Sequence, residues 1–72
     1  NNLDPKNLNK AIEETNEAIL KVLNGSDKIT LSPQNSYVRK LQHQMVLREK
    51  SIITESIGEG KSRRVVLSKD SY

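Results

Sequence analysis

Apolar residues recur every three to four positions through the first part of the chain, a period typical of a helix with one buried face. The recurring residues are Leu8, Ala11, Ile12, Thr15, Ile19, Val22 and Leu23. Asp4 is a good N-cap, and Pro5 fits the first helical position because its missing N–H would be unpaired there. Gly25 is suited to the left-handed conformation that ends a helix. Residues 1–27 are therefore predicted to form an amphipathic helix that completes the fold.

Short strand-like runs and a second helical stretch follow the first helix. Residues 28–31 alternate as a short edge strand does, and Pro33 ends that run. Residues 33–50 are predicted to be helical, with an apolar stripe of Val38, Leu41 and Met45 that is flanked by Val46. Residues 52–54 and 64–67 are β-branched runs on either side of a glycine-rich loop, which indicates a hairpin. The predicted fold class is α+β, in the order α-β-α-β-β, with two helices packed on one face of a three-stranded antiparallel sheet.

Arg39 and His43 lie four positions apart in the second helix, so they are predicted to share one face about a turn apart. At about 100° per residue, both side chains point roughly 125° to 165° away from the apolar stripe. Asn35, Ser36 and Tyr37 come just before them and offer amide and hydroxyl groups. The pattern predicts an outward polar surface around Arg39 and His43.

Charge is divided unevenly along the chain. Residues 1–27 hold three lysines and five carboxylates, a net charge of −2, whereas residues 28–72 hold nine lysines or arginines and four carboxylates, a net charge of +5. A basic segment of this kind favours a polyanionic partner. The alternative is an ordinary solubilising surface.

The bulk composition limits the class of protein. The 72 residues are enough for one domain. The chain has no cysteine, which excludes disulfides and is compatible with an intracellular compartment. No apolar run approaches the roughly 18 residues of a membrane span. Because the first residue is Asn1, the chain is expected to be a piece of a longer protein, with residues 69–72 fraying at its end.

The string Gly60-Lys61-Ser62 matches the end of the nucleotide-binding P-loop, G-x-x-x-x-G-K-[ST]. The first glycine of that motif would stand where this chain has Glu55. The residues after Ser62 read as a strand, so no helix N-terminus would receive the phosphates. The sequence therefore argues against a nucleotide site. Instead, the glycines are predicted to supply positive φ angles to a hairpin turn that holds Lys61 and the two following arginines out in solvent.

The stretches LSPQNSYVRKLQH (residues 31–43) and SIGEGKSRRVVL (residues 56–67) together resemble the Arg-x-x-x-His, or R-three-H, domain. The resemblance covers residues 28–68, which are predicted to form the core of the module. Members of that family bind single-stranded DNA or RNA and are built from two helices on a three-stranded antiparallel sheet. The segment also resembles the R-three-H part of a cyanobacterial and plastid P-loop ATPase. A bacterial family that pairs this module with a KH domain is an alternative parent.

The resemblance implies a binding site on the second helix and the hairpin. The signature arginine and histidine fall on Arg39 and His43, and the basic residue that begins the last strand falls on Arg63 or Arg64. Arg39 would grip a phosphate, and His43 would donate to the next phosphate or stack under a base. A cationic His43 would make affinity weaken as pH rises through about 6.5. The predicted nucleic-acid-binding residues are Asn35, Ser36, Tyr37, Arg39, Lys40, His43, Lys61, Arg63 and Arg64.

Two alternatives concern the site itself. Arg39 and His43 would also be compatible with a surface pair that caps neighbouring carbonyls. Lys61, Arg63 and Arg64 would also be compatible with a merely solvated hairpin tip.

Because the chain has only two aromatic residues, binding is expected to use backbone phosphates with little sequence preference.

The predicted function is non-catalytic binding of single-stranded nucleic acid, RNA or DNA, by a module of a larger protein in the cytoplasm, or in the plastid stroma if the parent is a plastid protein. No catalytic residue, metal, cofactor, small-molecule substrate or membrane contact is expected; other domains of the parent are expected partners. The alternative is a protein-interaction module that docks through the first helix. The outer face of that helix is charged and consists of Glu13, Glu14, Glu17 and Lys21. An enzyme is disfavoured, because no catalytic set converges on the single histidine.

Overall fold

A computed structural model describes residues 5–70. Its elements, in chain order, are α1 (Pro5–Leu23), β1 (Lys28–Thr30), α2 (Ser36–Val46), β2 (Ile52–Ile57) and β3 (Arg64–Lys69). The predicted α+β class and the order α-β-α-β-β are confirmed. Within the described residues, neither helix is long and apolar enough to cross a membrane.

The three strands form one antiparallel sheet in the order β1-β3-β2, so β3 is the central strand. Thr54 lies opposite Leu67, and Ser56 lies opposite Val65. Paired residues of an antiparallel sheet point to the same face. Val65 and Leu67 are fully buried under the helices, so Thr54 and Ser56 also lie on the helix-covered face. This placement matters for the site described below.

Both helices pack on that one face, as predicted. Both helices, strands β2 and β3, and the residue that follows β1 contribute to the core cluster. The cluster consists of Ala18, Ile19, Val22, Leu31, Val46, Ile52, Val65 and Leu67. In α1, Ala18 is buried and Leu23 is nearly half exposed, so the predicted stripe is slightly rotated. Fully burying a side chain such as Val65 stabilises a fold by about 1.5 to 3 kcal/mol.

The first helix ends at the glycine that the sequence indicated. Gly25 has φ +115°. Its N–H donates to the carbonyl of Val22, and the N–H of Ser26 donates to the carbonyl of Lys21. These two bonds form a Schellman motif, in which a left-handed residue closes the last turn. The predicted N-cap, Asp4, lies outside the described residues.

The second helix is shorter than predicted, because the chain before it pairs with the sheet. The N–H of Leu31 donates to Val65, and the N–H of Gln34 donates to Arg63; these bonds keep the backbone extended up to Asn35. The Asn35 Oδ1 then accepts from the N–H of Val38 and caps the helix. The predicted start at Pro33 is therefore wrong, and the helix also ends at Val46, before the predicted end at Lys50.

The buried face of α2 also differs from the prediction. Its buried residues are Val38, Gln42 and Val46, whereas Leu41 and Met45 are only half-buried. Because a polar residue occupies the centre of the buried stripe, the apolar pattern placed that stripe roughly 65° away from its observed position round the helix. The observed rotation turns the flank that carries Arg39 and His43 toward β2.

The hairpin between β2 and β3 turns on two glycines, as predicted. Gly58 has φ +86° and Gly60 has φ +55°, and a 3₁₀ turn occupies Gly60–Ser62. Both strands run beyond their predicted limits, and the N–H of Asp70 still donates to the carbonyl of Ser51. The ordered sheet therefore extends past residue 68, and residues 71 and 72 lie outside the described part of the chain.

Candidate nucleic-acid interface

Two open grooves meet at Arg39. The smaller has a volume of about 440 Å³, and we call it the cationic groove; Ser36, Arg39, Lys40, His43, Ser56 and Arg63 line it, together with Gln44. The larger, about 990 Å³, lies between α1 and residues 32–36, and we call it the mixed groove; Lys10, Glu14, Arg39 and Lys61 also line it. Arg39 and Ser36 belong to both grooves. A ligand that extends along this face would therefore pass Arg39.

The guanidinium of Arg39 is held in place by the chain that precedes the helix. Its Nη1 donates to the carbonyl of Gln34 at 2.9 Å, and the N–H of Gln34 donates to the carbonyl of Arg63 at 3.2 Å. Arg39 therefore does cap a neighbouring carbonyl, as the alternative interpretation of the sequence expected. A guanidinium carries five N–H donors, so this bond leaves donors for a ligand. A held guanidinium loses less side-chain entropy when it binds an anion.

His43 does not point outward, and the predicted orientation of its side chain is wrong. Its Nδ1 lies 2.9 Å from the Thr54 hydroxyl and its Nε2 lies 3.0 Å from the Ser56 hydroxyl. Both partners belong to the helix-covered face of β2, so the imidazole joins α2 to the sheet. Partial burial lowers the pKa of His43 below its ordinary value of 6.5, and the nearby Arg39 guanidinium lowers the pKa further. The ring is therefore neutral at pH 7, with one nitrogen donating and the other accepting.

Arg63 and Arg64, which were both candidates for the basic residue at the start of the last strand, lie on different surfaces of the structure. Arg63 lines the cationic groove, and its Nη1 donates to the carbonyl of Gly58 at 2.9 Å. Arg64 lies in β3 next to Val65, so strand alternation puts it on the sheet face away from the helices; its Nε donates to the carbonyl of Ser62. Both arginines are half-buried, in contrast to the predicted solvated position, whereas Lys61 is exposed beside the mixed groove.

The remaining predicted residues fall into different places. Ser36 lines both grooves, and Lys40 is exposed on the wall of the cationic groove. Asn35 lines the mixed groove and uses its Oδ1 for the helix cap, so its amide N–H₂ takes no part in that cap. Tyr37 is 57% exposed and lines neither groove.

Several residues of the site were missed from the sequence. Thr54 and Ser56 bind the imidazole; their spacing of two, on one face of a strand, was a signal that could have identified them. Lys10 and Glu14 line the mixed groove from α1. No local pattern brings them there, because their position depends on how α1 packs against residues 32–36.

One comparison with known proteins agrees with the resemblance in the sequence. A family model, that of the R-three-H domain, matches residues 10–69. The match includes most of α1 as well as the segment predicted to be the core. A search of curated proteins finds no match. Within residues 5–70, no group of three or more histidine, cysteine or carboxylate side chains is arranged to hold a metal ion.

Proposed function

Since the chain belongs to the R-three-H domain family, we propose that it binds single-stranded nucleic acid, RNA or DNA, through the cationic groove. It acts as a binding module of a larger protein and performs no catalysis. The observation that carries this proposal is the composition of the groove. Arg39, Lys40 and Arg63 line it, and among the described residues no carboxylate does.

The cations of this groove suit backbone phosphates. Arg39 offers its free N–H donors as a planar fork to one phosphate, and Arg63 offers the donors that Gly58 does not use. Lys40 adds a mobile point charge at the rim. Because both guanidinium groups already bond to backbone carbonyls, they are oriented before the strand arrives. Preorganised donors bind more tightly than donors that must be ordered on binding.

His43 lines the cationic groove and holds α2 against β2. Its two hydroxyl partners use both ring nitrogens, and its lowered pKa keeps it neutral at pH 7. In this proposal the imidazole positions the turn of α2 that carries Arg39 and Lys40. It does not supply a positive charge to a phosphate at neutral pH.

Binding of this kind is weak and depends strongly on salt. A small module that neutralises phosphates without stacking rings binds in about the micromolar range or weaker near physiological salt. For about four neutralised phosphates, the slope of log affinity against log salt on a single strand is about −3. Useful affinity then comes from linkage to other domains of the parent protein.

The test compares two double variants that remove the same charge. Arg39→Ala with Lys40→Ala removes both of the cations that α2 contributes to the cationic groove. Arg48→Ala with Lys50→Ala removes cations that line neither groove. Titrating a fluorescent single-stranded oligonucleotide is expected to show a loss of about tenfold or more in affinity for the first variant and a small loss for the second. Equal affinities for both variants would reject the proposal.

A second candidate function is docking onto other domains of the parent through α1. The observation that favours it is the exposure of Leu20 and Leu23 near the end of that helix, at 58% and 46%, although the apolar period had placed Leu23 on the buried face. NMR shift mapping of the module with its neighbouring domains distinguishes the two functions. Chemical-shift changes at Leu20 and Leu23 would support docking. An unchanged spectrum would reject docking and keep nucleic-acid binding as the proposed function.

A further inference from the structure

The mixed groove differs chemically from the cationic groove beside it. Lys10, Arg39 and Lys61 line it, but so does the carboxylate of Glu14, together with the amide and hydroxyl groups of residues 32–36. A phosphate offers only acceptor oxygens and negative charge, so a carboxylate at its binding site opposes it. The edge of a nucleobase, in contrast, carries both donors and acceptors. The lining of this groove suits a base better than a phosphate.

The carboxylate of Glu14 is fixed in the wall of the groove. Its Oε1 and Oε2 accept from the N–H of Ser32 at 3.2 and 3.3 Å, and its Oε2 also accepts from the Ser32 hydroxyl at 2.8 Å. These bonds connect α1 to the segment that leads into α2. A carboxylate has about four lone-pair positions, so acceptor capacity remains on the groove side. Glu14 is therefore an oriented acceptor with room for another donor.

The other walls suit the remaining parts of a nucleotide. Pro33 is exposed in the wall of the groove and contributes apolar surface, on which a flat base ring can pack when no aromatic side chain is present. Arg39 stands at the junction with the cationic groove. A nucleotide whose phosphate lies on Arg39 has its base within reach of either groove.

We propose that the mixed groove takes one unpaired base of the bound strand, with Glu14 accepting a hydrogen bond from an exocyclic amino group. This rests on the proposed function, because it assigns a second part to the same binding face. Adenine, cytosine and guanine carry such an amino group, whereas the N3–H of uracil and thymine is flanked by two carbonyl oxygens that a carboxylate repels. The site therefore adds a preference at one position to binding that otherwise depends on phosphates.

The test uses two oligonucleotides of equal length, oligodeoxycytidine and oligodeoxyuridine, titrated at pH 7.5. Their bases have the same ring, but cytosine offers an amino group where uracil has a carbonyl oxygen. The wild-type chain is expected to bind oligodeoxycytidine about tenfold more tightly, the factor that one charge-assisted hydrogen bond supplies. In Glu14→Gln the preference is expected to disappear. The glutamine side chain is uncharged and can turn either its N–H₂ donor or its oxygen acceptor toward the base, and its oxygen can still accept from Ser32.

Glu17→Gln is the matched control, since Glu17 is exposed on α1 and lines neither groove. It removes the same charge and is expected to keep the preference. Equal binding of the two oligonucleotides by the wild-type chain, or a preference that survives in Glu14→Gln, would overturn the inference while leaving the proposed function intact. If neither oligonucleotide bound, the proposed function would fail, and the base site would fail with it.

Discussion

The Nδ1 of His43 lies 2.9 Å from the hydroxyl of Thr54, so the histidine of the Arg-x-x-x-His pair bonds across to the edge strand of the sheet. Ser56 engages the other ring nitrogen. The arginine of the pair bonds in the opposite direction, to the carbonyl of Gln34. The two residues of the motif therefore connect α2 both to the sheet and to the segment before the helix, and only the arginine keeps donors for a ligand.

Replacing His43 is expected to cost stability. His43→Ala removes two side-chain hydrogen bonds from a half-buried site, and each such bond contributes about 0.5 to 1.5 kcal/mol net. We expect the free energy of unfolding to fall by about 1 to 3 kcal/mol, and Thr54→Val to cost about 1 kcal/mol. Urea denaturation of both single variants and of the double variant measures the coupling between them. Strictly additive effects would show that the bond contributes nothing.

The lowered pKa of His43 predicts how stability changes with pH. The unfolded chain binds a proton on this residue near pH 6.5, and the folded chain binds it only at lower pH. The contribution of the neutral imidazole is therefore fully present above the unfolded pKa and is lost as pH falls through the folded pKa. Since the chain has one histidine, His43→Gln should flatten the stability profile between pH 7.5 and pH 5. A profile as steep as that of the wild-type chain would contradict this account.

Oligonucleotide affinity should follow the same ionisation. Because the ring is neutral at pH 7, affinity at constant salt is expected to stay level between about pH 7 and pH 8. Any rise due to a protonated His43 is expected only below about pH 6.5, at lower pH than the sequence alone indicated. Titrations at several pH values measure this directly. A clear fall in affinity between pH 7 and pH 8 would contradict this account, because it would show that a protonated His43 contributes to binding near neutral pH.

The glycines of the hairpin turn are expected to differ in their tolerance to alanine. A Cβ on Gly58 would lie 2.8 Å from the carbonyl oxygen of Ser62, whereas a Cβ on Gly60 would meet no atom within 4 Å. A positive φ alone costs an alanine about 1 to 2 kcal/mol, and this should be the whole cost of Gly60→Ala. Gly58→Ala should cost about 3 kcal/mol or more, because the clash adds to it. Thermal denaturation compares the two variants, and equal losses would argue against the observed turn.

Gln42 offers a stabilising substitution. Its side chain is 1% exposed, and within the described residues neither Nε2 nor Oε1 has a hydrogen-bond partner. A buried unpaired polar group costs about 1 to 3 kcal/mol, so Gln42→Met, which keeps the shape, is expected to raise the free energy of unfolding by about 1 to 2 kcal/mol. Gln44→Met, on the exposed side of the same helix, is the control and should change stability by less than about 0.5 kcal/mol. A destabilised Gln42→Met would imply that the amide has a partner such as water.

Local signals in the sequence predicted most of the fold. The helix end at Gly25 and the positive φ angles at Gly58 and Gly60 follow from backbone rules that act within a few residues, and the structure confirms them. The period of apolar residues likewise identified α1, and the β-branched runs on either side of the glycines identified the hairpin. These features depend on neighbouring residues and little on the rest of the chain.

Long-range packing decided what the sequence did not predict. Gln42 is polar but buried, so a pattern of apolar residues could not place it at the centre of the α2 face, and the predicted direction of His43 was wrong in consequence. Which of Arg63 and Arg64 lines the cationic groove depends on the residue at which β3 begins. Glu14 approaches Ser32 across 18 positions of sequence, a contact that no local motif encodes.

The central claim is that phosphates bind in the cationic groove, and the salt dependence of affinity tests it most directly. The slope of log affinity against log salt should be about −3 for the wild-type chain if about four phosphates are neutralised, and Lys40→Gln should make it shallower by about 0.7. Lys50→Gln, an exposed lysine outside both grooves, should leave the slope unchanged. If the two variants changed the slope equally, or if neither changed it, binding would not be located in the cationic groove.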